Sequence, residues 1–254
     1  MRGRTIPLSP ARKLVVDWMR LHVPSVPVQR VMDISPLVAA RSALNDRPPW
    51  AALFTRAYAL VSADMPVLRR SYVKLPRPHL YECPVSLASF VIECEHEGEH
   101  IILPTMIHAP ERMSIGQIAA AIQKAKTQPI EDIKAFKQLN SMARLPAPLR
   151  RALLFFALNI GRQRSKYFGT FGISVYSGLG AESLHPLSPL TALLNYGVIG
   201  ADGRVTVRIV YDHRVLDGAD VARVLARLEE RLNDDIVNEL RASTAPTSND
   251  RGPR

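Results

Sequence analysis

The residues with the clearest chemical capacity lie towards the carboxyl end, in the run Asp212-His213-Arg214-Val215-Leu216-Asp217-Gly218. The apolar segment Val205-Thr206-Val207-Arg208-Ile209-Val210-Tyr211 precedes them and reads as a buried strand. Val221, Val224, Leu225 and Leu228 follow on one side of a helical pattern that starts at Asp217 or Asp220. A histidine at a strand-to-helix junction can be held rigidly while its ring faces a cleft, as a general base requires. On spacing alone, a packed or solvated histidine is the commoner outcome. Ser174 closes a second apolar run, and its ordinary reading is a strand-end hydroxyl satisfied by backbone. Ser174, His213 and Asp217 also supply the residue types of a hydrolase triad. However, Gly172-Ile173-Ser174-Val175-Tyr176 lacks the second glycine of the G-x-S-x-G elbow. Asp217, four residues after His213 in the same turn, need not orient the imidazole. Cys94, His96 and His100 do not complete four zinc ligands at sensible spacing, and residues 96–100 read better as a polar hairpin tip. No metal is expected.

The elements that must position these groups are legible as periodic runs. Residues 9–20 predict a helix capped by Ser9, with Leu14, Val15 and Trp18 on one face, broken by Pro24 and Pro27. Residues 26–34 alternate as a strand. Ser35 and Pro36 open a helix ending near Asn45, and Pro48 and Pro49 precede an apolar helix over 50–65. Residues 81–95 and 100–106 predict strands joined by Glu97-Gly98-Glu99. Ser114 caps a helix through Lys126. Residues 129–168 read as mainly helical, interrupted by Pro146 and Pro148, and 171–176 as a buried strand. This mixture predicts an α/β chain with one mixed sheet flanked by helices. We expect one domain over residues 1–241 and a disordered polar tail over 242–254.

Composition bounds the function. Of 254 residues, 47% are hydrophobic and 22% charged, as in an ordinary globular domain with a sizeable core. Two cysteines are too few for a disulfide framework, and the basic start has no apolar region behind it, so a cytoplasmic setting is the expectation. Lys and Arg outnumber Asp and Glu by 33 to 23, a net charge of +10 that attracts polyanions. The basic residues are scattered without a zinc-finger or aromatic RNA-binding signature, which argues against nucleic acid. Residues 149–166 contain Leu153-Leu154-Phe155-Phe156 between Arg150-Arg151 and Arg162, Arg164 and Lys166. The plain reading is a buried helix with charged ends; the sharper one is a basic amphipathic helix meeting a membrane, an acyl carrier protein or a long acyl group.

Several motifs, in order, carry a resemblance. Asp-His-Arg-Val-Leu-Asp-Gly resembles the H-x-x-x-D-G signature of the chloramphenicol acetyltransferase-like superfamily. The chain is most similar there to the catalytic domain of the dihydrolipoyl acyltransferase components of 2-oxoacid dehydrogenase complexes. Leu8-Ser9-Pro10-Ala11-Arg12-Lys13-Leu14 resembles the opening helix of that domain, and Met32-Asp33-Ile34-Ser35-Pro36-Leu37 with Arg41 the next strand and helix. Ile102-Leu103-Pro104 and Gly169-Thr170-Phe171-Gly172-Ile173-Ser174 resemble two later strands. The similarity spans residues 8 to 233.

The resemblance implies that His213 takes a proton from a thiol, hydroxyl or amine as it attacks a thioester carbonyl. It implies that Ser174 hydrogen-bonds the oxyanion, a donor whose loss costs on the order of 3 kcal/mol of barrier. Asp217 completes the site set, pairing with Arg12, and Gly218 supports the turn. It also implies an active site between subunits of a homotrimer, with acyl-CoA or an acyl carrier thioester as co-substrate and no tightly bound cofactor. The match begins within about ten residues of Met1, so neither lipoyl nor peripheral-subunit-binding domains are expected, and a separate lipoylated protein is one candidate donor or partner. The segment 127–168 is longer than in that family, and the polar end lacks its apolar docking segment, so a free trimer is expected in place of a cage. The competing reading is a non-catalytic scaffold, against which the retention of Arg12, Ser174, His213, Asp217 and Gly218 counts.

Overall fold

The computed structural model describes residues 3–6, 25–96, 99–143, 145–175, 180–181, 183–186 and 188–244. The predicted helix over 9–20, Arg12 within it and the turn at Glu97-Gly98 lie outside the described residues.

Apolar residues at a spacing of two build the sheet that carries the site. Strand β1 (Arg4–Ile6) is followed by β2 (Ser25–Asp33), then helices α1 (Ser35–Ser42) and α2 (Trp50–Asp64). Next come β3 (Arg70–Val73), β4 (His79–Glu82), β5 (Leu87–His96) and β6 (Glu99–His108). Helices α3 (Ile115–Thr127), α4 (Lys134–Ala143), α5 (Ala147–Asn159) and α6 (Gly161–Phe168) lead to β7 (Phe171–Ile173), β8 (Ala192–Tyr196) and β9 (Arg204–Asp212). The chain closes with α7 (Gly218–Arg231), a π-helical turn over Leu232–Ile236, and α8 (Val237–Thr244). Helix α8 reaches three residues into the segment assigned to the tail on composition; residues 245–254 lie outside the described ones.

Six strands form one mixed sheet in the order β2-β9-β8-β7-β5-β6, and β1-β4-β3 form a separate antiparallel sheet. The fold is thus the expected α/β class with a mixed sheet flanked by helices, plus a small second sheet that periodicity did not reveal. Its strands are only three or four residues long, too short to show a repeat of two. The predicted strand over 81–95 is in fact divided between the two sheets, because Cys83 and Pro84 interrupt it.

One face of the six-stranded sheet supplies the core. Phe171 and Ile173, Ala192, Leu194 and Tyr196, and Val205, Val207, Ile209 and Tyr211 are all buried in a single cluster. Helix α2 packs Phe54 flat on Tyr196, with ring centroids 4.1 Å apart, and Tyr58 against Phe171. Val221, Val224, Leu225 and Leu228 of α7 recur at helical spacing and are buried in the same cluster. Burial of this size, at ~25 cal/mol per Å² of apolar surface, dominates the favourable side of folding.

The entry to β7 is fixed by Gly169-Thr170. Gly169 lies at φ +91° and ψ −171°, a region open in practice only to glycine. Thr170 then donates its backbone N–H to Leu87 O at 2.9 Å and accepts Leu87 N–H on Oγ1 at 2.9 Å. A Cβ at position 169 would come within 2.7 Å of Leu87 O. Gly169→Ala should therefore destabilise the protein by about 2–3 kcal/mol in denaturant unfolding; a loss under ~0.5 kcal/mol would show that the turn relaxes without strain.

Candidate active site

His213 is the first residue past β9, and three interactions fix the turn that holds it. Asp212 is buried and continues the ladder, donating its N–H to Thr191 O at 2.9 Å. Its carboxylate grips Arg214 in a two-pronged pair, Nε to Oδ1 at 2.8 Å and Nη2 to Oδ2 at 2.7 Å, and also accepts the Arg214 N–H at 3.0 Å. Val215 and Leu216 return backbone N–H groups to Asp212 O. The sequence Asp-His-Arg thus ties the residues on either side of the histidine to each other and leaves the ring between them. Hydrogen bonding to Asp212 raises Arg214 above its usual range, although burial acts first and in the opposite direction. The imidazole lies against Tyr211, with ring centroids 5.6 Å apart.

Asp217 stands at the N-cap of α7, in extended backbone at φ −110° and ψ 161°, where a carboxylate is favoured by the exposed N–H groups of the first turn. Its Oδ1 is 3.5 Å from His213 Nδ1. The residue that starts the last helix therefore also faces the imidazole. Gly218 is the first residue of α7, and a Cβ there would sit an ordinary 3.5 Å from the Tyr211 hydroxyl. Among the described residues, no contact requires that position to be glycine. Arg12, the expected partner of Asp217, lies outside the described residues.

Ser174 follows β7 and is buried. Its N–H donates to Leu194 O at 3.0 Å, and its carbonyl accepts the Asn195 side-chain amide at 2.6 Å. Among the described residues no hydrogen bond occupies its hydroxyl, which the ordinary strand-end reading would have required. The register then separates the pair. Ser174 lies level with Leu194 and Asn195 on β8, whereas Asp212 pairs with Thr191 and His213 lies beyond it. At ~3.3 Å per strand residue along and two steps of ~4.8 Å across, Ser174 and His213 of one chain are roughly 19 Å apart. One thioester carbonyl cannot meet both, since a reacting atom must sit about 3 Å from base and oxyanion donor alike.

A cleft of about 480 Å³ opens beside Asp212. Lys74, Arg164 and Arg214 line it against the single carboxylate of Asp212, and Leu158 and Asn159 at the end of α5 form part of its wall. Arg164 is almost fully buried and donates to Tyr72 O at 2.6 Å and to Pro189 O. Burial pulls its guanidinium down to about 10, with nearby Asp212 opposing that shift. The group remains charged at neutral pH, so the cleft is cationic.

Three of these residues carry little sequence signal. Asn195 is a lone polar residue in the apolar run Ala-Leu-Leu-Asn-Tyr, which marks it as unusual without assigning a role. Arg164 looked like one surface cation among many. The Asp212–Arg214 pair straddles the histidine in sequence, but only the turn geometry makes it bidentate. Among the described residues no group of three or more His, Cys, Asp or Glu side chains could hold a metal ion. The side chains of Cys94, His96 and His100 lie outside the described ones.

No protein-family model matches the chain, and no curated protein matches it in sequence. Solved structures do match. A probable dihydrolipoamide acetyltransferase from Listeria monocytogenes superposes with a TM-score of 0.60 at 19% identity, covering 90% of this chain and 94% of that one. The Azotobacter vinelandii dihydrolipoamide acetyltransferase, studied for the part that a serine, a histidine and an asparagine play in catalysis, gives 0.59 at 19% over 91% and 92%. A chloramphenicol acetyltransferase gives 0.56 at 14% over 92% and 100%. The fold is therefore the chloramphenicol acetyltransferase-like fold, shared with acyltransferase catalytic domains along nearly their whole length.

Removing the Asp212 carboxylate leaves Arg214 unpaired in a partly dry turn. Asp212→Ala should cost about 3 kcal/mol of stability in guanidinium unfolding; a cost below ~0.5 kcal/mol would mean that water already screens the pair.

Proposed function

We propose that this chain is an acyltransferase, moving an acyl group from a coenzyme A or carrier-protein thioester to a thiol, hydroxyl or amine acceptor. The observation that carries this reading is His213 on a rigid turn with its Nδ1 turned to the Asp217 carboxylate. The carboxylate lies on the Nδ1 side of the ring, which leaves Nε2 as the nitrogen assigned to the base. Nε2 takes the acceptor proton as the acceptor attacks the thioester carbonyl. The Ser174 hydroxyl donates a hydrogen bond to the oxyanion as charge develops there. Collapse of the intermediate breaks the carbon–sulfur bond, and the departing thiolate recovers the proton from the imidazolium, giving acylated acceptor and free thiol. The cationic cleft beside Asp212 suits the phosphates of a pantetheine donor.

The distance between Ser174 and His213 within one chain supports a site shared by two copies, one supplying the base and the other the oxyanion donor. A homotrimer, in which each interface repeats this pairing, meets that need with closed symmetry. The Azotobacter vinelandii enzyme named above pairs the same residue types, a serine and a histidine, with an asparagine in the third role; here the residue four positions after the histidine is Asp217.

The test is release of free thiol from acyl-CoAs of increasing length, and from carrier-bound donors, with mixed acceptors. Ser174→Ala and His213→Ala should each lower kcat by at least ~10²-fold. Co-expressed in equal amounts, the two inactive variants should regain about a quarter of wild-type activity, because random mixing leaves one interface in four with both groups intact. Activity that stays absent in the mixture would overturn the shared site. Equal rates in wild type and His213→Ala would overturn acyl transfer itself and favour a scaffold.

A further inference from the structure

Helix α5 departs from the rule that an apolar helix is covered. It has 13 residues, and Leu149, Leu153, Phe156 and Ile160 at its end stand 49%, 44%, 50% and 38% exposed. Spaced four, three and four apart, these residues form one stripe within about 60° of arc. Leu154 and Phe155 are exposed as well, about 130° round the helix from the stripe on either side, and Phe155 touches Phe156 edge to face. Such a stripe in water implies that something covers it.

Charge indicates what that is. From residue 133 to residue 181 the chain contains no Asp or Glu, yet has eight Lys and Arg. Arg151 of this helix and Arg162 and Lys166 of the next are exposed. A second copy of a chain with net charge +10 would be repelled by this segment. An anionic lipid leaflet is attracted to it, and its acyl boundary receives the apolar stripe. At ~1.5 Å per residue α5 is about 20 Å long, too short to cross a bilayer, and no described helix is long and apolar enough to do so. Its geometry suits a helix lying in the plane of the interface.

We infer that α5 docks the protein on anionic membrane surfaces, with Leu149, Leu153, Phe156 and Ile160 inserted at the headgroup boundary and the cations of this segment on the lipid phosphates. Leu158 and Asn159 of the same helix line the cationic cleft, Leu158 from the side turned away from the stripe. The inference does not depend on acyl transfer.

Sedimentation of the full-length protein with phosphatidylcholine vesicles, with and without phosphatidylglycerol, tests it. Binding should be at least ~10-fold stronger with the anionic lipid and weaken as salt rises. Leu153→Ser with Phe156→Ser, and separately Arg150→Glu with Arg151→Glu, should each reduce binding by ~10-fold or more without changing the circular dichroism spectrum. No binding to anionic vesicles, or undiminished binding by both variants, would overturn the inference. So would light scattering in which the Leu153/Phe156 variant falls to a smaller oligomer, because the stripe would then be an interface between copies.

Discussion

The antiparallel ladder between β2 and β9 constrains everything that follows it. Nine consecutive residues pair, from Ser25 opposite Asp212 to Asp33 opposite Arg204, and β8 pairs along the other edge of β9. A slip of one residue would exchange Val205, Val207, Ile209 and Tyr211, now in the core, for Thr206, Arg208, Val210 and Asp212. Moving Arg208 and Asp212 into an apolar core costs far more than any alternative pairing could return. The register is therefore unique, and with it the point at which the chain leaves the sheet. His213 occupies that point.

From there the local chemistry is tightly determined. The chain must turn from β9 into α7, whose apolar side has to reach α2 and the sheet. Asp212 fastens the turn through Arg214, and Asp217 caps the helix while facing the imidazole. One short segment thus closes the strand, starts the helix and presents the imidazole. Ser174 is held by an equivalent logic at the other end of the sheet: Gly169-Thr170 locks β7 to β5, β7 is short, and the hydroxyl emerges where pairing stops. Each group is rigid, and neither can reach the other within the chain.

The surface is as uneven as the core is regular. Acidic residues are absent from 133–181, and the cleft beside the site is cationic because a buried arginine shares it with Lys74 and with Arg214, whose carboxylate partner is the one negative charge among the described lining residues. Arg164 gains nothing from burial itself, which lowers its affinity for the proton. It is held by two backbone carbonyls, and through them it joins β3 to the loop before β8.

What the sequence determined by itself was the identity of the chemical groups and the elements bearing them. The alternation of β9, the long apolar α2, the Ser114 cap of α3 and the stripe of α7 are local patterns, and local patterns survive in a linear reading. The motif around His213 and the strand ending at Ser174 were legible for the same reason, as were the fold class and the acyltransferase resemblance. Tertiary structure alone decided the rest. Strand order and register depend on contacts between residues far apart in sequence, so the separation of Ser174 from His213 within one chain had no local signal in the sequence. The short strands β1, β3 and β4 were invisible because three or four residues cannot display a period. The apolar segment of α5 read either as a buried helix or as a basic amphipathic one, since composition cannot say whether a greasy helix is covered; only its position shows Leu149, Leu153, Phe156 and Ile160 left uncovered.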